Sequence, residues 1–99
     1  MARFDVCKNP DGEGFLLDIQ ADLLSHLNSR VVVPLLPAAI APQPARILNP
    51  CFTIAGESLV MSTQFMAAVP ANILRTPIAS LQAERDAIVA AVDFLMQGF

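Results

Sequence analysis

The chain has 99 residues, 55% of them hydrophobic and only 15% charged, with a formal net charge of −3. That length supports one domain over residues 1–99 with a single core, and a charged share well under the ~25% of ordinary soluble domains predicts apolar surface covered in an oligomer. The acidic balance, with its six Lys and Arg scattered, argues against direct nucleic-acid binding. Pro34, Pro37, Pro42 and Pro44 interrupt the richest apolar region well short of the ~18 residues a membrane span needs.

Taken in order, MARFDVCKNP carries Asp5 and no continuous apolar run, so it does not read as a secretory signal, and a cytoplasmic protein is expected. Arg3 to Cys7 alternates, with Phe4 and Val6 on one side, and predicts a strand; the turn-rich KNPDGEG then leads to a hairpin partner over Gly14 to Gln20. Phe15, Leu16 and Leu17 are contiguous, which suits a strand covered on both faces. Ala21 to Asn28 holds Leu23, Leu24 and Leu27 in a run too short for a stable helix and reads as a loop carrying exposed leucines.

Arg30 to Leu36, RVVVPLL, is the strongest strand, because β-branched valines have stiff χ1 angles that disfavour a helix. Pro34 cannot donate to a ladder, so either one edge is free there or a bulge interrupts it. The four prolines Pro37, Pro42, Pro44 and Pro50 predict a long extended connection from Pro37 to Pro50. Cys51 to Ala55 and Ser58 to Ser62 then pair through a tight turn at Gly56-Glu57. Thr63 to Ala68 has mixed propensity and ends at Val69-Pro70, and the Thr76-Pro77 break precedes the last element.

Ser80 to Phe99 is the only long stretch with helical periodicity: Leu81, Ile88, Val92, Leu95 and Phe99 form an apolar stripe away from Gln82, Arg85, Asp86 and Asp93. Ser80 is placed to cap this helix, and Gly98 to end it in a left-handed conformation. Phe94, Leu95, Met96 and Phe99 crowd its last positions, an apolar end that costs free energy unless something covers it. Short strands followed by one terminal helix indicate an α+β domain, with a curved sheet or small barrel carrying the helix.

Catalytic groups are scarce. His26 is the only histidine, which excludes a metal site built on imidazoles, and it reads as a loop residue. Cys7 and Cys51 lie in no motif that supplies a base and read as small core groups with free thiols. Gly12 and Gly14 belong to a turn rather than a phosphate loop. Asp18 and Asp22 could pair, but two acids near a hairpin end are expected to be solvated, and Ser62 and Thr63 have no activating partner. No cofactor is expected, and a binding protein is favoured over an enzyme.

Several stretches together are similar to one family. Leu17-Asp18-Ile19-Gln20-Ala21-Asp22-Leu23-Leu24 matches its V-D-V-Q-S-D-hydrophobic pair, and Val32-Val33-Pro34-Leu35, Met66-Ala67-Ala68-Val69-Pro70 and the terminal helix ending in Gly98 and a hydrophobic residue follow in the same order. On these residues the chain resembles CcdB, the toxin of toxin–antitoxin modules that poisons DNA gyrase. The resemblance implies an SH3-like small β-barrel with a small extra antiparallel sheet and a C-terminal helix. It also implies a homodimer that enters the open gyrase A subunit, traps the cleaved DNA complex and is neutralised by a CcdA-like antitoxin, with which such toxins autoregulate transcription. The contact positions it implies are Ala21, Leu23, Leu24, Asp93, Met96, Gln97, Gly98 and Phe99. The best-known members end in Trp-Gly-Ile, whereas this chain ends in Gln97, Gly98 and Phe99. The family aromatic stacks on a gyrase arginine, a contact worth roughly 0.5–2 kcal/mol that Gln97 cannot make. Two alternatives are a ribonuclease toxin of the MazF type, disfavoured by the acidic charge, and a non-toxic member that only binds antitoxin.

Overall fold

A computed structural model describes residues 1–98. Its strands are β1 (Asp5–Lys8), β2 (Phe15–Asp18), β3 (Ser29–Pro37), β4 (Cys51–Ile54), β5 (Glu57–Met61), β6 (Ala67–Pro70) and β7 (Ala79–Ser80), followed by helix α1 (Arg85–Gln97). They form one antiparallel sheet in the order β4-β5-β3-β2-β1-β7, with β6 attached to β3 outside that path. The sheet curls into a nearly closed barrel and α1 packs against it, the α+β small barrel that the sequence predicts.

Strand β3 organises this arrangement. One edge pairs with β2 from Val32 to Leu35, while the other pairs first with β6 (Ser29↔Pro70 to Val32↔Ala67) and then with β5 (Leu35↔Met61 to Pro37↔Leu59). The pairing of β6 with the first half of β3 is the small added antiparallel unit. Pro34 sits where the partner changes. Its carbonyl accepts from the Ser62 N–H at 2.9 Å on the β5 side, and the donor it lacks would point to that same side, toward Ser62, which the β3–β5 register places opposite it. The reciprocal bond, from an N–H at position 34 to the Ser62 carbonyl, cannot form, so the ladder to β5 ends at this proline.

The main core lies between sheet and helix: Val6, Leu17, Val33, Leu35, Leu59 and Met61 from the strands meet Leu81, Ile88 and Ala91. Fully burying a side chain such as Ile88 contributes about 1.5–3 kcal/mol, enough to fix which face of α1 turns inward. On the opposite face of β1–β3, Cys7, Leu16 and Val32 form a second cluster covered by Met1, Val69 and Leu74. Strand β2 is thus covered on both faces.

Several local expectations shift. Phe4 is not in a strand: it adopts φ 71°, with its N–H donating to the Asp18 carbonyl at 2.6 Å and its carbonyl accepting from Leu81 at 2.8 Å. This uncommon conformation costs free energy and is held by burial of the Phe4 ring and by those two bonds. The tight turn of the β4–β5 hairpin is Ala55-Gly56, one residue earlier than expected, since Ile54 pairs with Glu57; both turn residues have positive φ, 53° and 79°, as a type I′ turn requires. The Pro37 to Pro50 connection is not simply extended. Asn49 is buried, accepts from the Ala45 N–H at 2.9 Å, and donates to the Met61 carbonyl and Gln64 Oε1 at 3.0 and 2.8 Å. Cys7 is buried as expected, but Cys51 is exposed, its strand presenting Phe52 and Ile54 inward instead.

The final helix is shorter than Ser80 to Phe99. Ser80 belongs to β7, where its Oγ accepts from the Gln82 N–H at 3.2 Å, and a 3₁₀ turn over Gln82–Glu84 precedes α1. Ser80 therefore does not cap α1; Glu84 occupies that position, with no side-chain capping bond. Gly98 does end the helix, at φ 80° with its N–H donating to the Phe94 carbonyl at 2.9 Å. Among the described residues, no helix is long and apolar enough to cross a membrane.

Candidate functional site

The predicted contact residues lie on two patches built by different elements. The first is the segment after β2. Ala21 is exposed, and Asp22–Leu24 forms a 3₁₀ turn with no buried residue. Leu23 is 91% exposed and Leu24 45%, so the loop of exposed leucines expected from the sequence is present. Neither leucine lies in a helix face that would turn it inward, and the turn is too short to bury an apolar side of its own.

Polar groups hold this turn instead. Gln20, buried at its base, donates from Nε2 to the Leu24 carbonyl at 3.0 Å and accepts on Oε1 from the Val31 N–H at 3.1 Å. Asp18 Oδ1 accepts from the Gln20 N–H at 3.0 Å, and Asp18 Oδ2 receives Arg30 Nε at 2.8 Å. Arg30 Nη2 lies 2.8 Å from that same oxygen but off the hydrogen-bond direction, so it adds Coulomb attraction rather than a second bond. Asp18 is wholly buried and Arg30 almost so. The expectation of two solvated acids fails for this reason: Asp18 lies on the second core face, directly opposite Val32, with a cation at hand. Asp22 is exposed, but its Oδ1 accepts the Arg3 N–H at 2.9 Å, fastening the turn to the N-terminal segment.

The second patch is the end of α1. The i, i+3 and i+4 spacing places Asp93, Met96 and Gln97 on one side of the helix, away from Ile88 and Ala91. Met96 is 65% exposed, Gln97 and Gly98 are exposed, and Asp93 is half-buried. Phe94 is half-buried and Leu95 only marginally exposed, so among the described residues the exposed apolar surface of the tip is mainly that of Met96. Phe99 lies outside the described residues. No hydrogen bond among the described residues joins the helix tip to the Asp22–Leu24 turn; α1 is seated on the core and beside the 63–65 turn, the other patch on β2 and β3.

Among the described contact residues, Asp93 is the only one with a titratable side chain, and Asp22 lies within the first turn. No group of three or more His, Cys, Asp or Glu that could hold a metal occurs among the described residues. Thr63, buried, spends its hydroxyl on the Leu48 carbonyl, and Ser62 is buried beside it. His26 is exposed in the loop, as expected. Two open clefts lie elsewhere, one of about 470 Å³ between Lys8, Asn9, Pro10, Arg75, Thr76 and Ile78 and one of about 510 Å³ beside it along Asp11 and Asn72–Leu74, and neither is lined by a predicted contact residue. What the two patches offer is exposed apolar and amide surface on fixed backbone, suited to binding a macromolecule.

Comparison with known families agrees with this fold. The family model described as CcdB protein matches residues 3–98, nearly the whole chain, and the chain belongs to the CcdB family. That membership makes it a toxin-type component of a toxin–antitoxin system.

Proposed function

We propose that this member of the CcdB family is a single-domain cytoplasmic toxin that acts as a homodimer, binds the DNA gyrase A subunit and traps the gyrase–DNA cleavage complex. It needs no catalytic group of its own, and a CcdA-like antitoxin neutralises it. The contact surface is Ala21, Leu23 and Leu24 together with Asp93, Met96, Gln97, Gly98 and Phe99. The observation that carries this reading is that Leu23 and Met96, on two separately anchored patches, are the two most exposed large hydrophobic side chains among the described residues. Leaving such side chains in water forgoes about 1.5–3 kcal/mol each relative to full burial, which a partner that covers them recovers.

A supercoiling and DNA-cleavage assay with purified gyrase tests it. The intact protein inhibits supercoiling and accumulates cleaved DNA, and deletion of Gln97–Phe99 abolishes both effects. Undiminished poisoning by the truncated protein refutes the assignment of the helix tip.

Gln97 favours a second reading, a family member that binds antitoxin without poisoning gyrase, because glutamine cannot stack on an arginine as the family aromatic does. Binding of a CcdA-like peptide with no retention of gyrase A on the immobilised protein would select it.

A further inference from the structure

Leu23 and Leu24 are presented by a turn that has no buried residue of its own, so packing does not fix its shape. Its conformation is set by two polar ties. Beneath it, the buried Gln20 amide spans the Leu24 carbonyl at 3.0 Å and the Val31 N–H at 3.1 Å, and is itself seated on the Asp18–Arg30 pair through Asp18 Oδ1. Beside it, Asp22 Oδ1 holds the Arg3 N–H at 2.9 Å. The N-terminal segment at the far end of that bond is in turn anchored by Phe4, whose N–H donates to the Asp18 carbonyl. Both ties therefore converge on residue 18.

We propose that Gln20 and Asp22 are positioning residues for partner binding. They hold the turn in the conformation that exposes Leu23 and Leu24, so that the cost of ordering it falls on folding and not on association. Gln20 does this from the interior and Asp22 through the Arg3 backbone. The inference rests on the reading of the turn as a gyrase contact. Its mechanical part, that the ties order the turn, is independent of the partner's identity.

The test uses the full-length protein and the variants Gln20→Leu, Asp22→Ala and Leu23→Ser, with amide hydrogen exchange and affinity for purified gyrase A as readouts. In Gln20→Leu and Asp22→Ala the Ser25 and Leu27 amides, which donate to Asp22 and Leu24 within the turn, exchange faster. The Leu17 and Met61 amides of the barrel keep their protection. Affinity falls about tenfold for each variant, and Asp22→Ala leaves the denaturation midpoint unchanged, a combination that a purely structural role would not produce. Faster turn exchange with unaltered affinity overturns the positioning role, and unaltered turn exchange overturns the mechanical part. Should Gln20→Leu fail to fold, Asp22→Ala decides, since its bond lies at the surface. Leu23→Ser reports separately on the reading beneath: wild-type affinity in that variant removes the turn from the gyrase contact, and the ordering role of the ties then stands or falls on exchange alone.

Discussion

Removing the Arg30 side chain is the most informative perturbation of the scaffold. Asp18 is 0% and Arg30 3% exposed, and the carboxylate has one cationic partner, reached by Nε and Nη2 at 2.8 Å each. Arg30→Met keeps most of the volume of the aliphatic stem but leaves a buried carboxylate without its counter-charge, a change that costs about 3–5 kcal/mol. Against the ~5–15 kcal/mol typical of a domain, that is a third of the stability or more in most cases. Asp18→Leu is as costly, since it strands the guanidinium and also removes the acceptor of the Gln20 N–H. The double variant Asp18→Leu/Arg30→Met loses both charges together. Its cost is then mainly the unpaired Gln20 N–H, about 1–3 kcal/mol, far less than the sum of the singles. Urea unfolding of all four proteins at one fixed concentration measures the cycle, with equal slopes confirming that the unfolding transition is the same. A loss under about 1 kcal/mol for Arg30→Met, or a double variant as unstable as the two singles added, would refute the account of this pair.

Other substitutions probe turns, thiols and the helix tip. Ala55→Asn relieves a left-handed alanine in the type I′ turn and raises stability by about 0.5–1 kcal/mol, seen as a higher midpoint in thermal unfolding. Gly14→Ala destabilises by about 2 kcal/mol or more, because Gly14 has φ 82° and an added Cβ would lie 2.2 Å from the Leu35 carbonyl oxygen in the facing strand; unchanged thermal stability would contradict this. A thiol-specific reagent labels Cys51 rapidly in the native protein and Cys7 only after denaturation, so mass spectrometry should find a single early adduct. Gln97→Trp restores the family aromatic on an exposed site and strengthens gyrase A binding by about 0.5–2 kcal/mol, measured by titration calorimetry; no gain would show that the target lacks the matching cation.

Sequence by itself determined the features that depend on neighbouring residues. The valine run made β3, the spacing of Ile88 and its companions made the inward face of α1, and Gly98 ended it, because side-chain sterics and helical period act within a few positions. The exposed leucines after β2 were legible for the same reason: no local pattern could bury them. The family, too, was legible, from short stretches kept in order across the chain.

Tertiary structure decided what depends on residues far apart. Asp18 and Arg30 are twelve positions apart, and only the β2–β3 register brings them together and withdraws them from water. The same register let Gln20 reach both Val31 and Leu24, so the support of the exposed turn could not be read from its own sequence. Phe4 took a left-handed backbone against its local preference because Asp18 and Leu81 claim its two backbone groups. At Ala55 the β4–β5 register likewise outweighed a local penalty of about 1–2 kcal/mol, moving the turn by one residue. In each case, the contacts made between distant strands are worth more than the local preference they override.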